Sequence, residues 1–340
     1  MQRVAKAALA AREQVGQSVE YSRRSAIDEA YALLIQEPQR PICLFGVKDT
    51  DQISREVVQK LEGLPGHVFH TVDTMAPGGR AVDPNLVNPL TGRMMTGSSS
   101  ASCVNILLGI NDLALATDGG GSVMAPAIST GLYSIMAKGL GLKGSRPRVS
   151  TDSIQFVPGI GVISHSYELC LQAITHLTGV DMNQAPWPPM VLIRPRNPRL
   201  HPVVERVQAV LGTEVRILED PACPDRYSMI AFLNAEFKRS PLILSIEGPV
   251  DLEGYGDSVL GVWGALGQAV QAGGARISSR SPIWWTQRWW GFPSQNLPVG
   301  CWSWPRRDEK LAAPPWPWGQ CRLFEEYFIQ GWTRSWIGYI

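Results

Sequence analysis

The sequence predicts an α/β protein with a mixed central β-sheet flanked by helices. Three observations lead there. Short apolar runs of strand type, Ile42–Val47 and Leu113–Thr117, alternate with stretches of helical periodicity. Met190–Ile193, a helical stretch over 200–211 and Glu214–Glu219 form a β-α-β run, the unit that sets strands in one sheet under covering helices. Apolar residues make up 44% of the 340 residues and charged residues only 18%, which suffices for a large core.

Residues 1–38 are expected as a helical part. Ala, Val and Leu recur over 2–36 at near-helical spacing, in one or two amphipathic helices, and Pro38 and Pro41 end the region. The strand 42–47 runs straight into Lys48-Asp49. Residues 52–63 read as a helix stopped by Gly63 and Pro65. His67 and His70 follow as loop polarity after Pro65-Gly66. Residues 71–100 are rich in Gly, Pro, Asn, Thr and Ser without a period, which predicts a long loop. A loop of that length in a compact domain is usually functional. Residues 100–110 form a helix of small and apolar residues, and 113–117 a buried strand. Asp118–Ser122 is a Gly-rich turn, and 126–142 mixes helix and turn. Residues 164–178 form an amphipathic helix with Ser164 or Ser166 as its cap and Gly179 at its end.

Composition narrows the function. Lys and Arg total 31 against 30 Asp and Glu, so no basic surface for nucleic acid is expected. No stretch approaches the roughly 18 apolar residues of a membrane span, and Met1–Arg12 lacks the apolar core of a secretory leader. A cytoplasmic location is the expectation. The six cysteines contain no CxxC pair, which argues against a zinc ribbon or redox motif. Neither a metal nor a cofactor is expected.

Three pieces carry chemistry. They are Lys48 at the end of an apolar strand, the cluster Thr96-Gly97-Ser98-Ser99-Ser100, and the turn Asp118-Gly119-Gly120-Gly121-Ser122. Each alone has an ordinary explanation: a surface charge, a turn, or a Gly-rich loop that cradles a phosphate. Their order and spacing are more specific. Val47-Lys48-Asp49, the Gly-Ser-Ser cluster, and Thr117-Asp118-Gly119-Gly120-Gly121-Ser122-Val123-Met124-Ala125-Pro126 together resemble the amidase signature family. The resemblance extends weakly through Lys138–Lys143 and Pro158–Ser164, covers residues 40–180 best and fades toward 275.

The resemblance implies hydrolysis of a carboxylic amide to acid and ammonia or amine through an acyl-enzyme on a serine. A serine hydroxyl is a weak nucleophile until a base takes its proton. No histidine sits in a suitable motif, so a lysine is the candidate base, and it must be neutral to act. Carried over from the family, Lys48 is the base, Ser98 the relay after a cis peptide bond, and Ser122 the nucleophile. The amides of Gly119, Gly120 and Gly121 would form an oxyanion hole, and Ser99 and Asp118 would hold the loops. The expected partner is a small-molecule amide, with a homodimer as the assembly. Three alternatives remain: a catalytically impaired or binding-only homologue, a protein like the A subunit of the amidotransferases that charge transfer RNA, and phosphate binding by the Gly-rich turn. Met124 departs from the family, which usually has Arg there. A charge partner near Asp118 is therefore missing or comes from elsewhere.

The last part of the chain is compositionally different. Twelve Trp occur, ten of them after residue 280, in a stretch rich in Pro and Arg with no helical or strand period. The expected division is an amidase signature domain over 1–280 and an atypical tail over 281–340, with the C-terminal part of the fold incomplete. A Trp-rich binding module, a natural subdomain and an out-of-frame reading of a GC-rich gene all fit that composition, and the last is favoured.

Overall fold

The computed structural model describes residues 1–149, 155–180, 189–196, 198–211, 215–221, 223, 226–240, 242–246, 265, 288–291 and 301–304. Helix α1 (Gln2–Glu13) and helix α2 (Ala26–Gln36) enclose strand β1 (Val19–Ser22). The first 38 residues are thus two helices with a strand between them. Strand β2 (Cys43–Lys48) is buried at every residue, as a central strand with helices on both faces must be. Helix α3 (Arg55–Glu62) leads to strand β3 (His67–Asp73), then β4 (Val82–Val87), β5 (Met94–Thr96) and helix α4 (Ser100–Leu107).

Two expectations change here. His67 and His70 lie on a strand and are buried, not on a loop. The polar look of this stretch misled because β3 carries buried polar groups, Thr71 and Asp73 among them. The span 71–100 is likewise not one loop, since β4 and β5 pair antiparallel inside it.

Strand β6 (Leu113–Asp118) and helix α5 (Met124–Ser129) follow, then β7 (Tyr133–Met136), the short β8 (Arg148–Val149) and β9 (Gln155–Phe156), and β10 (Gly159–Ser164). Helix α6 (Tyr167–Thr178) is capped as expected: Ser166 Oγ accepts from the Leu169 amide, and Gly179 takes the left-handed conformation at φ 70°. The β-α-β run is β11 (Met190–Arg194), α7 (His201–Leu211) and β12 (Arg216–Glu219), with β11 and β12 parallel. Helix α8 (Arg226–Phe237) and β13 (Leu242–Ser245) continue it.

Two more strands come from the Trp-rich stretch, β14 (Arg288–Gly291) and β15 (Cys301–Trp304). They correct the expectation of no strand there. Alternation is a weak signal over runs of four residues. The rest of the 281–340 tail, and the Trp residues outside these two strands, lie outside the described residues.

The strands form one mixed sheet in the order β1-β3-β2-β6-β10-β7-β14-β15-β13-β11-β12. Strands β3, β2 and β6 are parallel, as are β13, β11 and β12. The antiparallel β14–β15 pair joins β7 on one side to β13 on the other. One face of the sheet (Phe45, Leu115, Val162, Leu192) packs on α3, α6 and α7. The other face packs on α4 and α5 through Ala114, Ala116 and Met136. The expected mixed sheet flanked by helices is the observed architecture.

Candidate active site

Register places the candidate residues on a single face. Side chains of paired residues in a sheet point the same way. Lys48 pairs with Asp73 across β2–β3, and Asp118 with Gly159 across β6–β10. Alternation from Ala114 and Ala116 puts Asp118 on the face covered by α4 and α5. The chemistry-bearing residues therefore sit between the sheet and these two small-residue helices.

Lys48 ends β2 and is 3% exposed. Its ammonium donates to Ser98 Oγ at 2.7 Å and to the Thr117 carbonyl at 3.2 Å. Burial lowers its pKa to about 8, against the opposing pull of the Asp118 carboxylate. Ser98 is itself buried and follows a cis Gly97–Ser98 peptide. The Ser99 amide donates to the Ser122 carbonyl at 3.0 Å, which ties the serine cluster to the Gly-rich turn. Ser99 Oγ is buried and finds no hydrogen-bond partner among the described residues, so Ser99 contributes here through its backbone. Ser122 is half-buried, whereas Lys48 and Ser98 are both buried.

Asp118 organises the turn. Its carboxylate accepts from the amides of Gly120 (2.8 Å), Gly121 (2.5 Å), Val123 (2.6 Å) and Met124 (3.3 Å). Charge-assisted bonds of this kind are the stronger class. Gly120 and Gly121 thus spend their N–H groups on Asp118 in this structure, not on a shared external oxygen. Gly119 is constrained differently: a Cβ there would lie 2.4 Å from the Phe156 ring. Ser100 Oγ donates to the Asp83 carboxylate and anchors the start of α4 to β4.

Sequence reading missed some of these neighbours. Phe156 and Asp83 carry no signal beyond ordinary apolar and loop positions. Lys138, whose stem lies against Gly159, the cross-strand partner of Asp118, does carry one, because it follows the apolar run Ile135-Met136-Ala137 as Lys48 follows its own. Among the described residues, no cluster of His, Cys, Asp and Glu could hold a metal ion. No helix among them is long and apolar enough to cross a membrane.

No protein-family model matches the sequence. No curated protein matches it either. Solved structures do. The chain is similar to an amidase at TM-score 0.61 and 16% identity, over 94% of this chain and 95% of that one. It is similar to 6-aminohexanoate cyclic dimer hydrolase at TM-score 0.60 and 12% identity, over 99% of this chain and 93% of that one. It is also similar to the urea amidolyase of K. lactis at TM-score 0.63 and 12% identity, over 96% of this chain but 26% of that longer one. The chain has the amidase signature fold.

Proposed function

We propose that this chain is an amidase that hydrolyses a small carboxylic amide through an acyl-enzyme on Ser122. The observation that carries this reading is the buried Lys48–Ser98 bond beside the Ser122 loop. Neutral Lys48 takes the Ser98 proton as Ser98 takes the proton of Ser122 Oγ. The Ser122 oxygen then bonds to the amide carbon, and the carbonyl oxygen becomes an anion. When the C–N bond breaks, the same relay returns the proton to the leaving nitrogen. Water repeats the sequence on the ester: its proton passes to Lys48, its oxygen bonds to the acyl carbon, and Ser122 leaves with the proton.

The anionic oxygen needs preorganised donors. The turn 119–122 supplies them. Asp118 already takes Gly120 and Gly121, so Gly119 and Ser122 are the amides it leaves for the substrate oxygen. The catalytic residues lie within 1–280, and β14 and β15 from the tail complete the sheet that carries them. The test is release of ammonia or amine from a panel of simple amides, together with labelling by a fluorophosphonate probe. Labelling on Ser122 that Ser122→Ala abolishes supports the reading. Labelling at another residue, or none, overturns it.

A further inference from the structure

A second buried lysine stands beside the same turn. Lys138 opens the 3-10 turn Lys138–Leu140 after β7 and is 8% exposed. Its stem packs against β10. A Cβ built on Gly159 would lie 2.9 Å from Lys138 Cβ and 3.5 Å from its Cδ. Gly159 is the cross-strand partner of Asp118. The absence of a side chain at Gly159 thus lets the Lys138 stem occupy the space beside Asp118.

The charge arrangement points the same way. The Asp118 carboxylate is buried and carries four amides. Met124, where the resembled family usually has an arginine, is fully buried and supplies no charge. The charged groups around Lys138 are Asp118 on β6, Lys143 just beyond the turn, and Lys48 through the carboxylate both lysines feel. Arg288 is the charged residue of β14, which packs on the same turn. Burial and the Lys143 charge lower the Lys138 pKa to about 8, and Asp118 opposes them.

We propose that Lys138 is a positioning residue whose ammonium balances the Asp118 carboxylate, so that the turn bearing Ser122 holds its shape without raising the proton affinity of Lys48. The proposal rests on the amidase reading for its link to catalysis. Its electrostatics do not depend on that reading. If Lys138 loses its charge, Asp118 acts on Lys48 alone, and Lys48 holds its proton more tightly.

The test is the pH dependence of fluorophosphonate labelling at Ser122. In Lys138→Met the midpoint of the rising limb moves up by about 0.5–1 pH unit, and labelling at pH 7 slows about three- to tenfold. Lys138→Arg, charged throughout this range, leaves the midpoint at or below the wild-type value. A lower rate in Lys138→Met with an unmoved midpoint is a packing effect and overturns the proposal. So does a Lys138→Arg that behaves like Lys138→Met. The second measurement needs no activity. In protein carrying ¹³C-labelled lysine, the Lys138 signal, assigned by its loss in Lys138→Arg, titrates at lower pH in Asp118→Asn than in wild type. An unchanged titration overturns the proposal even if Ser122 labels. If wild type does not label while the titration moves, the amidase reading fails and the charge pairing stands.

Discussion

Lys48 Nζ donates to Ser98 Oγ across 2.7 Å and so joins the end of β2 to the serine cluster 50 residues later. This contact is made where water is excluded, and that exclusion sets the protonation of the lysine.

The first prediction concerns that lysine. Its neutral form is the base, so labelling of Ser122 rises with pH through about 8 and levels off above it. Lys48→Met removes the base and slows labelling by about 10²–10⁴-fold. The same substitution raises stability at neutral pH. A buried lysine whose pKa falls from 10.5 to about 8 weighs on the fold fully below 8 and is relieved as pH rises toward 10.5. Lys48→Met is therefore more stable at pH 7 by about 1–3 kcal/mol, read from urea unfolding. A variant less stable than wild type would contradict this.

The second concerns Asp118. Asp118→Ala leaves four backbone amides without their acceptor and lowers stability by roughly 3–5 kcal/mol, since each buried donor left unpaired costs about 1–3 kcal/mol and the turn relaxes in part. Asp118→Asn keeps one acceptor oxygen and costs less. Thermal unfolding of the two variants ranks them. Equal losses would show that the amides do not depend on this side chain.

Asp73 gives a pH-dependent prediction of opposite sign to an ordinary carboxylate. It is fully buried, and its Oδ1 accepts from Thr71, Asn105 and Asn111 while Oδ2 has no partner among the described residues. Burial raises its pKa from 3.8 to about 6, against those hydrogen bonds. A raised pKa contributes stability below 3.8 that is lost as pH rises through about 6. Asp73→Asn keeps the accepting oxygen and removes the charge. Its stability loses this slope between pH 4 and pH 6, and at pH 7 it exceeds wild type by about 2–3 kcal/mol. Chemical unfolding across that range decides it. A wild-type slope that survives in Asp73→Asn assigns the pH dependence to other groups.

The fourth concerns the Trp-rich stretch. A chain stopped after residue 287 lacks β14 and β15, and leaves β7 and β13 with unpaired edges. Open edges template association. The truncated chain is expected in the insoluble fraction, or as large species in sedimentation. A monodisperse, folded product would show that the pairing is dispensable.

Much of this was legible in the sequence where burial leaves a simple pattern. Strand β2 and helix α6 were readable because an apolar run and a capped 3.6-residue period mean the same thing in most contexts. The Lys48, Ser98 and Ser122 segments were readable because their order is unusual, not because any one of them is. Strand β3 was not, since its buried Thr71 and Asp73 bond to partners far away in sequence, Asn105 and Asn111. Lys138 was visible as a residue but not as a neighbour of Asp118. That requires the antiparallel register of β10 on β6, which no local pattern encodes.

The late arrival of the β14–β15 pair also bears on how the chain is made. Strand β10 is complete at residue 164, but the partner of β7 on its other side is not complete until residue 291 and its own partner until 304. At a synthesis rate of about 5–20 residues per second, the free edge of β7 faces the cell for roughly 7–30 seconds before the sheet can close. During biosynthesis the half of the molecule that holds the serines is formed first and sealed last.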